Sequence, residues 1–186
     1  MRIGFSTWPY HVYPHQPGSS LSTDLIWAET ARVGFHGIEI SQDLRDLPPA
    51  EQCREQLAEH NLQAASHWVT VTPDASCLGG AKEKAKFLQT IGGNFLVCEG
   101  GKQHPPIDRD SYLTYFKRFD EIGQICDGHG IRAAFHFHPG CLEQQHEVDD
   151  LFDHTKSVWF CPGIGLAAPR NSGISSWDSS PPSRRP

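Results

Sequence analysis

Two imidazoles two residues apart, His136 and His138, close an apolar run that follows Gly130. In an extended strand side chains alternate, so these histidines share one face while Phe135 and Phe137 take the other. An imidazole inside an apolar strand is costly unless partnered, so the pair reads either as ligand-holding groups or as hydrogen-bonded residues lining a polar mouth. Further groups of this kind recur along the chain. Glu39 stands between Ile38 and Ile40, which points its carboxylate away from the layer that takes the isoleucines. His67 lies beside Trp68 near the end of a third apolar run, and Glu99 sits where a fourth runs out into Gly100-Gly101. Trp8 ends the first run and reads as core or as an aromatic wall for the C–H face of a sugar. Carboxylates take up protons and imidazoles hold or pass them, so the chemistry open to the set is ligand binding with proton transfer.

Alternating strands and helices must position these groups. Strand-like segments start at Arg2, Gly37, Leu62, Asn94, Gly130 and, weakly, Ser157. Helical patterns fill Asp24 to Val33, Pro49 to His60, Ala81 to Ile91, Arg109 to Asp127 and Glu147 to His154. Ser22, Thr23 or Asp24 is the candidate cap of the first, and glycines at Gly34, Gly92-Gly93 and Gly128 to Gly130 stop three of them. Strand starts recur about every thirty residues, the unit length of a (β/α)8 barrel of the TIM type; an open doubly wound sheet gives the same alternation. Polar groups at the carboxyl ends of such strands usually face the active site. The chain has 186 residues, fewer than the roughly 200 of the smallest such barrels. Five good units and a weaker sixth read as an incomplete α/β barrel over residues 1–162. The remainder, 163–186, is crowded with Ser, Pro, Gly and Arg and reads as a disordered tail.

Composition narrows the function classes. Net charge is -6, and the lone basic pair Arg184-Arg185 makes no stripe for a nucleic-acid backbone. No apolar run reaches membrane-spanning length and no signal-peptide pattern precedes the first strand, so a cytoplasmic location is expected. Six cysteines are spread singly, without CxxC spacing, which favours buried reduced thiols over a zinc knuckle or a disulfide scaffold.

Three segments carry a family resemblance: Gly34-Phe35-His36-Gly37-Ile38-Glu39-Ile40, Ala85-Lys86-Phe87-Leu88-Gln89-Thr90-Ile91-Gly92-Gly93, and His129 to Gly140 with its histidine strand. Their order and spacing resemble the xylose isomerase-like TIM barrels, most closely the sugar phosphate isomerase/epimerase group and its inosose dehydratase branch. The resemblance implies a divalent-metal enzyme (Mn, Mg or Co) acting on a small sugar, polyol or inosose. A metal bridging a carbonyl and a neighbouring hydroxyl would polarise both, and a carboxylate would take the intervening C–H proton. On that basis Glu39 and Glu99 are the expected catalytic carboxylates, His136 the expected metal ligand, and Trp8, His67 and His138 the expected substrate contacts.

The chain departs from the family pattern in two places. His136 stands where a metal-binding glutamate is usual, which removes one negative charge. After the sixth strand the family commonly reads Asp-x-Gly-His, while this chain reads Cys161-Pro162-Gly163-Ile164-Gly165-Leu166. These departures lead to the expectation of a chain truncated or shifted in frame near Pro162, either a metal-dependent isomerase, epimerase or dehydratase or an inactive fragment keeping the sugar-pocket half. An apurinic-site endonuclease on the same fold is disfavoured by the acidic balance. An open barrel edge would invite pairing with another chain as a homo-oligomer.

Overall fold

The computed structural model describes residues 3–9, 22–100, 109–136 and 145–161. They form one six-stranded parallel sheet in the order β1-β2-β3-β4-β5-β6. The strands are β1 (Gly4–Ser6), β2 (Gly37–Ile40), β3 (Gln63–Val71), β4 (Phe95–Gly100), β5 (Arg132–His136) and β6 (Val158–Cys161). Between them run helices α1 (Thr23–Arg32), α2 (Ala50–Glu59), α3 (Cys77–Ile91), α4 (Arg109–Gly128) and α5 (Gln145–His154), with a short 3-10 turn at Leu44–Asp46 after β2. Parallel strands joined in sequence order through helices are the βα-barrel arrangement, with five successive βα units and a sixth strand among the described residues. His138, Cys141 and residues 162–186, with the proposed tail and its boundary, lie outside the described residues.

Helices α1 to α4 each bury an apolar stripe set by their own spacing. In α1, Ile26, Trp27 and Thr30 are buried, Ser22 accepts the Leu25 N–H at 3.3 Å, and Gly34 at φ +93° turns the chain into β2. In α3, Ala81, Ala85 and Leu88 recur at helical spacing and are fully buried. Small side chains there let the helix approach β3 closely. This helix starts one turn before the expected Ala81, because Cys77 packs into the core beside Ala81. That packing outweighs the poor helix propensity of Gly79 and Gly80, about 1 kcal/mol each. In α4 the stripe is Phe116, Phe119, Ile122 and Cys126, all buried. A Cβ on Gly123 of this helix would lie 2.5 Å from the Ser157 carbonyl oxygen, so glycine lets the turn before β6 press against the helix. Asp120 fixes that turn by accepting the N–H groups of Lys156 and Ser157 at 2.7 and 3.2 Å.

One irregularity decides which side chains face which way. Ile38 of β2 pairs with Ala64, but the next residue, Glu39, pairs with Ser66, leaving Ala65 as an extra residue in β3. Such a bulge reverses the alternation that follows it. Ala64 faces the helices, and beyond the bulge that face passes to His67, Val69 and Val71. Ser66, Trp68 and Thr70 take the opposite face.

The four cysteines whose side chains are described, Cys53, Cys77, Cys98 and Cys126, are free and buried, as expected. Burial pushes the Cys53 thiol up to about 11 and the Cys126 thiol up to about 12, so neither supplies a thiolate at neutral pH.

Candidate functional site

The strands open at their carboxyl ends on a cavity of about 580 Å³. Ser6, Trp8 and Pro9 form the wall after β1, and Ser41, Gln42 and Asp43 the wall after β2. Trp68 and Thr70 enter from β3, Glu99 from the end of β4 and His136 from the end of β5, while Lys84 reaches in from α3. Thr70 is paired in register with Glu99, and Glu99 with His136. Neighbouring strands lie about 4.8 Å apart, so the carboxylate and the imidazole stand side by side on one wall. The Trp68 indole meets the His136 ring edge-on, with centroids 5.0 Å apart and planes at 79°.

Hydrogen bonds stiffen the β1 and β2 side of the cavity. The Thr7 hydroxyl, fully buried, contacts the Ser41 hydroxyl at 2.8 Å and donates to the Gln42 Oε1 at 3.1 Å. Arg45 closes a two-pronged bond on Asp43, 3.0 Å from Nε to Oδ1 and 3.0 Å from Nη2 to Oδ2. The side-chain hydrogen bond from Arg45 holds the Asp43 carboxyl well below the usual carboxylate range. On the β3 side the Lys84 Nζ donates to the Trp68 carbonyl at 2.7 Å. Burial pulls the Lys84 ammonium below its ordinary pKa, and the Asp43 charge opposes that shift.

Of the residues expected at the site, Trp8, Glu99 and His136 line the cavity. Glu39 faces the same side of the sheet at the register position of Ser6, where its Oε2 accepts the Ser66 hydroxyl at 3.0 Å, and it is not among the lining residues. His138 lies outside the described residues. His67 departs from the expected convergence. It is 1 % exposed, its ring meets Phe87 of α3 edge-on at 6.0 Å, and its Nδ1 accepts the Trp68 N–H at 2.7 Å. The bulge turns it into the helix layer, and its neighbours Trp68 and Thr70 line the cavity in its place.

The buried His67 gives folding a pH dependence. Desolvation, aided by the Lys84 charge, pushes its pKa down to about 4 from an ordinary 6.5. The unfolded chain therefore binds a proton that the folded chain resists, and stability falls as the pH drops from 6.5 to 4. The loss is on the order of 3 kcal/mol at the lower end of that window. Urea unfolding of the wild type and of His67→Gln at pH 7 and pH 4 checks this: the variant should lose less stability on acidification by about that amount. Equal losses would show that another group sets the acid limit.

Several lining residues were not foreseen from the sequence. Trp68 and Thr70 were legible in principle, since Val69 and Val71 alternate with them and mark the opposite, apolar face. Gln42 and Asp43 belong to the loop after β2, and Lys84 reads in isolation as one more solvated lysine of α3.

Comparison with known proteins agrees with this architecture. The family model described as the xylose isomerase-like TIM barrel matches residues 27–165, and the chain belongs to that family. An inosose dehydratase of Geobacillus kaustophilus is 25% identical over 158 residues, covering 74% of this chain and 51% of its own. A sugar phosphate isomerase/epimerase from Parabacteroides distasonis superposes with a TM-score of 0.63 at 14% identity, over 86% of this chain and 64% of that one. The IolI protein, solved with a bound zinc atom, gives 0.65 at 15% identity, over 85% of this chain and 61% of its own. The chain thus spans about half the length of the curated relative and under two thirds of these solved chains.

The zinc of the last relative prompts a test of the donors present here. Glu99 and His136 offer a carboxylate oxygen and an imidazole nitrogen, the ligand types that zinc or manganese accepts. Among the described residues, however, no third His, Cys, Asp or Glu gathers with them. Two donors do not make a metal centre, so the described residues do not by themselves fit the expected ion. Among the same residues no helix is long and apolar enough to cross a membrane.

Proposed function

We propose that the cavity takes a small polyhydroxylated carbonyl compound, a keto sugar or an inosose, and that Glu99 removes the proton from the carbon beside the carbonyl. The observation that carries this reading is the register pairing of Glu99 with His136 on the cavity wall. As the C–H bond breaks, its electron pair passes into the adjacent C–C bond and negative charge develops on the carbonyl oxygen. His136 hydrogen-bonds that oxygen and supplies the proton that neutralises it. Delivery of a proton from solvent to the opposite face of that carbon, as the enol oxygen returns its proton to His136, gives an epimer. Delivery of the Glu99 proton to the former carbonyl carbon, as the hydroxyl on the carbon first deprotonated passes its proton to His136 and becomes the new carbonyl, gives an isomer. Departure of the hydroxyl from the next carbon as water, with the proton held by Glu99, while the enol oxygen returns its proton to His136 and the carbonyl re-forms, gives dehydration, the reaction in the name of the Geobacillus relative. Trp8 and Trp68 offer flat apolar walls for the C–H faces of the substrate, and the Ser6 and Thr70 hydroxyls offer hydrogen bonds to its hydroxyls. A divalent ion bound at Glu99 and His136 would polarise the carbonyl; it requires donors beyond the described residues.

The test is solvent exchange. When 2-keto-inositol and a panel of ketohexoses are incubated with the chain in heavy water, at least one should lose its α-proton signal in the NMR spectrum faster than in buffer. A second reading, a sugar-binding chain without turnover, draws on the two-donor count. It is supported if ligands quench the cavity tryptophans while no exchange exceeds the buffer rate, and that result would overturn the catalytic reading.

A further inference from the structure

We propose that His67 and Lys84 are positioning residues: they stand in for a missing strand partner at Trp68 and, through its indole, hold the His136 imidazole beside Glu99. This role rests on the reading of Glu99 and His136 as the proton-transfer pair. The sheet has a gap at this level. The register of β2 with β3 ends at Ile40 and His67, whereas β3 goes on pairing with β4 as far as Val71. Past Ile40 the chain turns to β1 instead, where the Ser41 N–H donates to the Thr7 hydroxyl at 2.9 Å. Trp68 is the first residue of β3 beyond the end of that register, and side chains fill the empty place. Its N–H donates to the His67 Nδ1 at 2.7 Å, and its carbonyl accepts from the Lys84 Nζ at 2.7 Å. Backbone groups inside a fold are costly when unpaired, so each bond meets a need that β2 leaves open.

Lys84 reaches β3 because Ala81 and Ala85, one turn before it and next to it on α3, are fully buried and bring the helix close. The indole it supports has no polar anchor of its own. The Trp68 Nε1 is shielded from solvent and has no acceptor among the described residues, so the place of the ring follows from the backbone that carries it. From there the contact passes edge-on to the His136 ring, 5.0 Å away between centroids, and His136 is paired in register with Glu99. A misplacement of about 1 Å at a reacting group can cost about a hundredfold in rate. Two props that touch no substrate can therefore act strongly on turnover.

The test uses the whole chain labelled with 5-fluorotryptophan, the Trp68 fluorine line being assigned by its loss in Trp68→Phe. In the unmodified chain this line should be single and sharp, and His136→Asn should shift it, because the two rings are in contact. In Lys84→Met, and separately in His67→Leu, the line should broaden and the shift caused by His136→Asn should fall by half or more. Lys84→Arg, which can still donate to the carbonyl, should restore part of that shift. On any substrate that shows solvent exchange, Lys84→Met should lower the exchange rate at saturation about tenfold or more, with ligand affinity kept within about threefold. A Trp68 line already broad in the unmodified chain, or unmoved by His136→Asn, would overturn the positioning role even where one variant fails to fold. A shift of full size in Lys84→Met or His67→Leu, or an affinity that falls as far as the exchange rate, would overturn it too. Absence of exchange with every substrate would overturn the proton-transfer reading alone, since the fluorine lines still report whether His67 and Lys84 keep the two rings together.

Discussion

Glu99→Gln is expected to lower the rate of solvent exchange into the substrate by about 10²- to 10⁴-fold, the range a positioned general base contributes. Glutamine keeps the size and one carbonyl oxygen of the side chain but cannot accept a proton to become neutral, so binding should survive while proton removal fails. The residue sits at the end of β4, held between Thr70 on β3 and His136 on β5. Because the strand pairing fixes the backbone on both sides, the substitution has little room to act by displacement. The measurement is the exchange rate at saturating ligand, with tryptophan quenching as the binding control. Exchange within a few fold of the wild-type rate would remove Glu99 from the reaction and leave the cavity without its base.

Phe119→Ala should cost about 3–5 kcal/mol of stability, as aromatic truncations in packed cores do. Phe119 is 2% exposed, and its ring lies 4.3 Å from that of Phe135 at centroid distance, joining α4 to β5. Phe135 is paired in register with Cys98 and precedes His136 in the chain. The contact therefore holds the strand that carries the imidazole onto the helix layer beneath it. Urea unfolding measures the loss, and Phe119→Leu, which keeps most of the volume, should cost markedly less. A loss below about 1 kcal/mol would mean that the helix layer repacks around the gap and that β5 does not depend on it.

The alternation of strands and helices was legible because each element carries its own period and its own stop. The glycines at 34, 92 and 130 take positive φ at the expected helix ends, and the observed strands fall within or close to the apolar runs. The weak sixth strand forms because Asp120 and Gly123 of α4 fix the turn that delivers it, a support that its own four residues do not advertise. The cavity was legible only in part. Trp8, Glu99 and His136 follow from their places at strand ends, since the carboxyl edge of a parallel sheet gathers whatever polar groups lie there. His67 alternates with Val69 and Val71, so the run itself places it on their apolar face and not at the site. The bulge at Ala65, by which Ala64 shares that face, depends on how two strands pair and leaves no such mark. Lys84 was hidden for a related reason. Its position on α3 flanks the buried stripe, and only the tertiary approach of that helix to β3 turns a surface lysine into part of the wall.

The strictly sequential order of the sheet bears on how the chain acquires its shape. Every strand pairs with the strand next to it in the chain, so each pairing closes a loop of only one strand–helix unit. Loop-closure entropy rises slowly with length, and topologies built from short separations fold quickly for their size. Assembly can begin at the long β3–β4 ladder, where six residue pairs are in register. It can then add one unit at a time on either flank, each described strand meeting a neighbour in the chain.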